Sequence, residues 1–357
     1  MVSMRDVASA AGVSHGTVSH ALNHPERVSP ETLARVQRAV EELGFVRNEA
    51  ARHLRAGQST TLGLILIDNW DAFFNLLTTG FEDAVIGKGW TVIVANSALD
   101  VARERANLDT FEQRRLRGIL IIPQSKESVE DLVRVRQRGT SCVLVDRDAG
   151  DYPIPSVSVD DVAGGRMAGE HLVSIGRSKI MFVGNPRVLY HAADRLQGLR
   201  EGTAGAASIE VRDVDHLVYA DGLGVGAAIA RRSPKQRPDG IFCANDLLAL
   251  AIISVLIAEG IRVPEDIAIV GYDDVSYAGH GQIPLTSIRQ PAYDLGRQAG
   301  EVLLRDISNE RSGPIERLIN TPEFVPRDST LGPRRSADAG LNGVPAGGSV
   351  RGDTGNV

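Results

Sequence analysis

The sequence predicts an α/β protein, with a small all-helical head at the N-terminus and doubly wound parallel sheets after it. Three observations carry this expectation. Residues 4–23, MRDVASAAGVSHGTVSHALN, read as two short helices around a glycine turn. From residue 60 onward, nearly continuous apolar runs alternate with helical stretches, the rhythm of βαβ units whose strands are covered on both faces. The chain of 357 residues, 43% of them hydrophobic, is long enough for two or three domains and a large core.

In the head, Val7, Ala8 and Ala11 recur at helical spacing, so 5–11 can present one small apolar face, and Gly12 supplies the left-handed position that ends a helix. Ser14 can cap a second helix striped by Val18, Ala21 and Leu22. Two small helices at a glycine turn match the helix-turn-helix motif, whose second helix enters a DNA major groove, and equally an ordinary αα-hairpin. Ser29-Pro30-Glu31 opens a third helix with Leu33, Val36, Val40 and Leu43 on one face and Gly44 at its end. Asn48 to Gly57 reads as one more helix, capped by Asn48 and too short to be stable alone in water.

The body begins with strand-like runs at 62–67, 90–95, 118–122 and 142–145, and a second group follows at 180–184, 240–244 and 267–271. The segment Val157-Ser158-Val159 divides the two groups, and helical stretches such as 73–88, 164–175 and 246–259 separate the runs. Gly222-Leu223-Gly224-Val225-Gly226 superficially matches a dinucleotide loop but does not follow a strand of the required pattern. Cys142 and Cys243 sit inside apolar runs, which predicts buried free thiols. No basic-then-apolar leader and no run of about 18 apolar residues occurs, which points to a cytoplasmic protein off the membrane.

Residues 1–58 hold seven arginines against six acids, so the head carries one positive charge within an overall net charge of −6. Four of the eight histidines, His15, His20, His24 and His53, also lie there. So weak a basic footprint predicts modest non-specific DNA affinity and strong salt dependence. Enzyme classes are excluded by the lack of a nucleophile elbow, zincin sequence or phosphate loop, and neither a cofactor nor a metal is expected.

The stretches DVASAAGVS, TVSHALN, RVSPETLARV, EELGF and NEAARHLRAGQSTTLGLI resemble the LacI/GalR family of bacterial transcriptional regulators. PSVSVDDVAGGRMAGEHL, FCANDLLALA, GIRVPEDIAIVGYDDV and PLTSIRQPAYDLG extend the resemblance over roughly residues 4–330. It implies a helix-turn-helix head at 1–47, a hinge helix and linker at 48–58, and an effector-binding and dimerisation domain at 59–330. Within that domain it implies two subdomains of the periplasmic-binding-protein type, 60–158 plus 289–319 and 159–288 plus 320–330. The Gly-, Ser- and Ala-rich tail at 331–357 is expected to be disordered, and its lack of leucine heptads favours a homodimer over a tetramer.

The resemblance further implies a regulator, a repressor in most members, that binds a palindromic operator in double-stranded DNA. Its affinity for DNA would be set by a small hydroxyl-rich molecule, a sugar or nucleoside, acting as inducer or corepressor. The alternative is a solute-binding protein of sugar transport, which the DNA-binding head and the missing export signal disfavour. His15, Gly16 and His20 fall where the family meets base edges, Thr17, Ser19 and Asn23 where it positions phosphates, and Asn48, Leu54 and Arg55 in the hinge. Leu54 matches a residue that wedges into a base step through the minor groove. Gly16 has no side chain to read a base, His20 replaces a frequent arginine, and Arg47 replaces the usual proline before Asn48. For the effector, Phe73, Asp146, Arg195, Asn245 and Asp273 match ligand contacts, all just beyond apolar runs or on a following helix. Phe73 could equally pack the start of its helix, and its loop Asp68-Asn69-Trp70-Asp71-Ala72-Phe73-Phe74 lacks the proline common in the family. Asp246 is expected to cap the following helix.

Overall fold

The computed structural model describes residues 2–45, 59–68, 70–308 and 314–332. The chain divides into two compact units, Met1–Ser59 and Thr60–Val357.

The described part of the first unit holds α1 Met4–Ala11, α2 His15–Asn23 and α3 Pro30–Leu43. A capping box between Ser3 and Asp6 starts α1 one residue ahead of the expected 5–11. Gly12 ends it in the left-handed conformation at φ 61°. Ser14 accepts from the Thr17 amide to cap α2, and Ser29 does the same for Thr32 at α3, with Pro30 in the first turn. The Arg35 guanidinium donates to the Ala11 and Gly12 carbonyls at 3.1 Å each, tying α3 to the turn between the other helices. The core is made of small residues: Val7, Ala8, Ala11, Val18, Ala21, Val36 and Ala39. Leu43, expected on the buried face, is 36% exposed, because α3 turns its Val36–Ala39 edge inward where small side chains permit a close approach. The expected hinge with Asn48, Leu54 and Arg55 lies outside the described residues, as do residues 333–357 of the tail.

The second unit contains two six-stranded sheets. The first comprises β1 Thr61–Leu66, β2 Thr91–Asn96, β3 Gly118–Ile121, β4 Ser141–Val145, β5 Ser156–Val159 and β11 Arg317–Asn320, in the order β11-β5-β4-β3-β1-β2, all parallel. The second comprises β6 Lys179–Gly184, β7 Ser208–Asp213, β8 Gly240–Cys243, β9 Ala268–Asp273, β10 Thr286–Arg289 and β12 Glu323–Val325. Its order is β12-β10-β9-β8-β6-β7, with β12 antiparallel to β10. The chain therefore passes between the sheets three times, after β5, after β10 and after β11.

The helices flanking the first sheet are α4 Ala72–Ile86, α5 Val101–Gln113, α6 Lys126–Gln137 and α11 Ala292–Ile307. Those of the second are α7 Asp161–Ser174, α8 Tyr190–Thr203, α9 Tyr219–Ala230, α10 Asp246–Ala258 and the short α12 Asp328–Leu331. The glycine cluster at 222–226 lies inside α9, where Gly222 and Gly226 press against α10, so it is a packing surface and no phosphate loop. Cys142 and Cys243 are buried and form no disulfide with each other.

The run at 90–95 was expected to be covered on both faces, but β2 is a sheet edge with Ile93 and Val94 39% and 43% exposed. Among the described residues, β2 has a strand neighbour, β1, on one side alone. Apolar continuity therefore does not by itself tell an edge strand from one covered on both faces. The edge strand β7, of sequence SIEVRD, and the short β10, β11 and β12 carry too many polar residues to register as apolar runs.

Candidate functional site

On the head, Val18 and Ala21 turn α2 inward and leave His15, Gly16, His20 and Asn23 exposed, with Thr17 and Ser19 half-buried. Asn23 donates to the Ser19 carbonyl at 2.9 Å, and the Ser14 and Thr17 hydroxyls are 2.9 Å apart. The His20 and His24 rings meet edge-on at 6.5 Å. The exposed face of α2 is thus polar and aromatic and carries no acid.

The second unit contains a cavity at the carboxyl ends of strands from both sheets. It is narrow, about 60 Å³, and all five residues expected there, Phe73, Asp146, Arg195, Asn245 and Asp273, line it. Asp71, His191 and Gln290 line it too, and sequence reasoning missed them. Gln290 follows a four-residue strand, TSIR, that gave no apolar signal, and His191 lies one turn before Arg195 on α8. Asp71 stands in the loop after β1 that was expected near the ligand, but was not singled out there; it caps α4.

Arg195 is the best fixed of these groups. Its Nε donates to Asp161 Oδ1 at 2.8 Å, a second nitrogen donates to the Ala244 carbonyl, and the guanidinium lies 3.6 Å over the Tyr272 ring. Burial opposes the charge most, but Asp161, Tyr272, Asp273 and Asp146 together more than offset it and keep the arginine charged. Arg195 reaches this position because α7 and α8 touch backbone to backbone. A Cβ on Gly165 would stand 2.1 Å from the Arg195 carbonyl oxygen, and one on Gly198 would stand 2.0 Å from that of Val162.

Asn245, rather than Asp246, caps α10. Its Oδ1 accepts from the Leu248 amide at 3.1 Å, and its Nδ2 donates to the Leu217 carbonyl at 2.8 Å. Asp246 is drawn away into the core by the Ser287 hydroxyl at 2.7 Å and the Val275 amide at 2.9 Å. Nδ2 of Asn245 also reaches Asp71 Oδ2 at 3.4 Å, joining the ends of the two sheets. Asp71 accepts from the Phe73 amide at 3.0 Å, and Phe73 stacks edge-on with Phe74 at 5.2 Å. Phe73 serves both roles considered for it: 3% exposed, it packs in the core and also lines the cavity.

Asp146 and Asp273 both sit at positive φ, 60° and 101°, at the ends of their strands. Asp273 accepts from Gln290 at 2.6 Å. Oδ1 of Asp146 and Oε1 of Gln290 are buried without a hydrogen-bond partner. Burial, reinforced by Asp161 and opposed by Arg195, pushes the Asp146 carboxyl up to about 8. Burial, reinforced by Asp71, also pushes Asp273 well up, and burial raises Asp71 itself. The His191 imidazole is held well below the usual histidine range by burial and then by Arg195 and Arg147, so it is neutral. A cavity with four aspartates and one already matched arginine offers an anion no counter-charge. It suits a neutral ligand that both donates and accepts hydrogen bonds.

A helix-turn-helix unit joined in one chain to a two-sheet body with such a cavity defines the class: a ligand-responsive, DNA-binding transcriptional regulator rather than an enzyme. The family model of bacterial regulatory proteins of the lacI family matches residues 3–48, and that of the periplasmic binding protein-like domain matches 170–330. The regulator CelR of Thermobifida fusca is 31% identical over 89% of this chain and 96% of its own length. The ribose operon repressor of Escherichia coli strain K12 is 30% identical over 92% of this chain and the whole of its own. A solved transcriptional regulator CelR–cellobiose complex aligns at a TM-score of 0.68 with 28% identity, covering 92% of this chain and 100% of that one. The chain belongs to the LacI family.

Among the described residues, no helix is long and apolar enough to cross a membrane.

Proposed function

We propose that this chain is a cytoplasmic repressor that binds a palindromic operator as a homodimer and releases or grips it according to the level of a small hydroxyl-rich molecule, a sugar or nucleoside. The observation that carries the effector class is the pairing of Arg195 with Asp161 inside a cavity otherwise rich in aspartate. Arg195, Asn245, Asp273 and Asp146 serve as ligand hydrogen-bond partners and Phe73 as an apolar wall. The ribose and cellobiose in the names of the relatives support a sugar over a nucleoside. His15, Gly16 and His20 meet base edges, Thr17, Ser19 and Asn23 position phosphates, and the hinge around Asn48, Leu54 and Arg55 reaches the minor groove. Dimerisation is supported by apolar side chains left exposed on α4 and β2, with Leu76 45%, Ile86 56% and Val94 43% exposed. One head alone offers little interface, so two are needed for operator affinity. The domain limits 1–47, 48–58 and 59–330 follow from the same reading.

The test combines selection of DNA from a random pool by the full chain with a thermal-shift screen of sugars and nucleosides. A palindromic sequence whose gel shift responds to a stabilising sugar is expected. Selected sites without two-fold symmetry, or a response to anionic compounds alone, would refute the proposal.

A further inference from the structure

The three helices of the head hold no surplus of fixed positive charge. Residues 2–45 contain four arginines, no lysine and five acids, which leaves a net charge of −1 before any histidine is counted. The other arginines of the first 58 residues, Arg47, Arg52 and Arg55, lie outside the described residues. α2 itself has neither lysine nor arginine. Its titratable side chains are His15 in the first turn and His20 in the last, with His24 as the C-cap, and all three are exposed.

α2 packs against α1, the turn Pro25–Arg27 and α3. The charged groups on these elements are Arg5 and Asp6, then Glu26 and Arg27, then Glu31, Arg35, Arg38, Glu41 and Glu42. Asp6 is engaged by Ser3, and Arg35 by the carbonyls of Ala11 and Gly12. Glu26 lies 3.4 Å from Nδ1 of His24 and 3.7 Å from Nε of Arg27. Among the described residues, neither His15 nor His20 has an acidic partner, so a phosphate would be the first anion either ring meets. Imidazole is the side chain that ordinarily changes charge between about pH 5 and pH 8. An opposite charge within reach favours its charged form. With all three histidines charged, the same surface goes from a net −1 to a net +2. We propose that the head grips DNA by taking up protons on His15, His20 and His24, so that operator affinity is set by pH as well as by the effector. The proposal rests on the reading of α2 as the helix that meets DNA and gives that helix a second input.

Fluorescence anisotropy would measure the affinity of the full chain for a labelled duplex of mixed sequence, about 30 base pairs long, at fixed ionic strength. Such a duplex reports phosphate contacts and not base reading. Affinity should rise about tenfold or more from pH 8 to pH 6, and the logarithmic salt dependence should steepen by about 0.9 for each histidine engaged. His20→Arg, which makes one charge permanent, should bind about fivefold or more tightly than the parent at pH 8 and flatten the profile. Replacing His15, His20 and His24 together by glutamine should leave a profile flat to within about twofold. A parent profile that changes by less than about twofold, a rise that persists in full in the triple variant, or a His20→Arg chain no tighter than the parent at pH 8 would overturn the proton-driven grip and leave the DNA-binding reading standing. Failure to bind this duplex or any selected from the random pool, at every pH, would overturn both.

Discussion

Arg195→Met is the most revealing single change in the body. The substitution keeps an unbranched chain under Tyr272 but deletes the donors to Asp161 and to the Ala244 carbonyl. Asp161 is 7% exposed, so the change strands a buried carboxylate. Removing one partner of such a pair costs about 3–5 kcal/mol, whereas the intact pair adds little over a neutral replacement, because bringing two charges out of water offsets their attraction. With a urea m-value of about 3 kcal/mol/M for a body this size, a loss of about 4 kcal/mol moves the unfolding midpoint down by about 1.3 M. Adding Asp161→Asn should return at least about 2 kcal/mol of the loss, since the stranded charge is then gone. Urea titrations of the parent, both single variants and the double variant close the cycle. Simple additivity of the two losses, or a midpoint for Arg195→Met within about 0.3 M of the parent, would refute the claim that the pair is held together by mutual compensation.

Three further changes probe other parts of the chain. Gly165→Ala places a methyl group 2.1 Å from the Arg195 carbonyl oxygen, so α7 and α8 must part. A stability loss of about 2 kcal/mol or more, together with weaker sugar binding, is expected from the overpacking, and an unchanged denaturation midpoint and sugar affinity would count against the close crossing. Asp146, raised by burial to about 8, holds a proton in the folded chain that the unfolded chain has already released. Its contribution is full below the ordinary carboxylate range and lost as pH climbs to about 8, so Asp146→Asn should melt progressively higher than the parent from pH 5 to pH 8 without ligand. Parallel melting profiles would contradict this. In the hinge, Leu54→Ala should leave the melting temperature unchanged and weaken operator binding at least tenfold in a gel-shift titration, and affinity near that of the parent would remove the minor-groove wedge.

What could be read from the residues depended on whether a signal was local. The head was legible because its helices carry their own punctuation in Gly12, Ser14, Ser29, Pro30 and Gly44, whereas the Ser3 cap went unread. Phe73, Asp146, Arg195, Asn245 and Asp273 were legible through a resemblance and through their places after apolar runs, and one cavity gathers all of them. The capping of α10 was misassigned because Asn245 and Asp246 cap equally well in isolation. The choice is made by Ser287, 41 residues further on, which takes Asp246 for itself. Gln290 escaped notice for a related reason: β10 is a strand only because β9 and β12 lie on either side of it.

The threefold passage of the chain between its sheets has a consequence for synthesis. β5, ending at Val159, stands in the first sheet beside β11, which begins only at Arg317. A ribosome adding 5–20 residues per second needs roughly 8–30 s to make the stretch between them. Throughout that interval the nascent first sheet presents β5 as an open edge, a row of unpaired amides and carbonyls able to recruit any other strand. The second sheet is likewise incomplete until β12 emerges, so neither half can be released finished ahead of the other. The chain matures as a whole and late, so its connectivity leaves an unpaired edge on each sheet until the last strands are made.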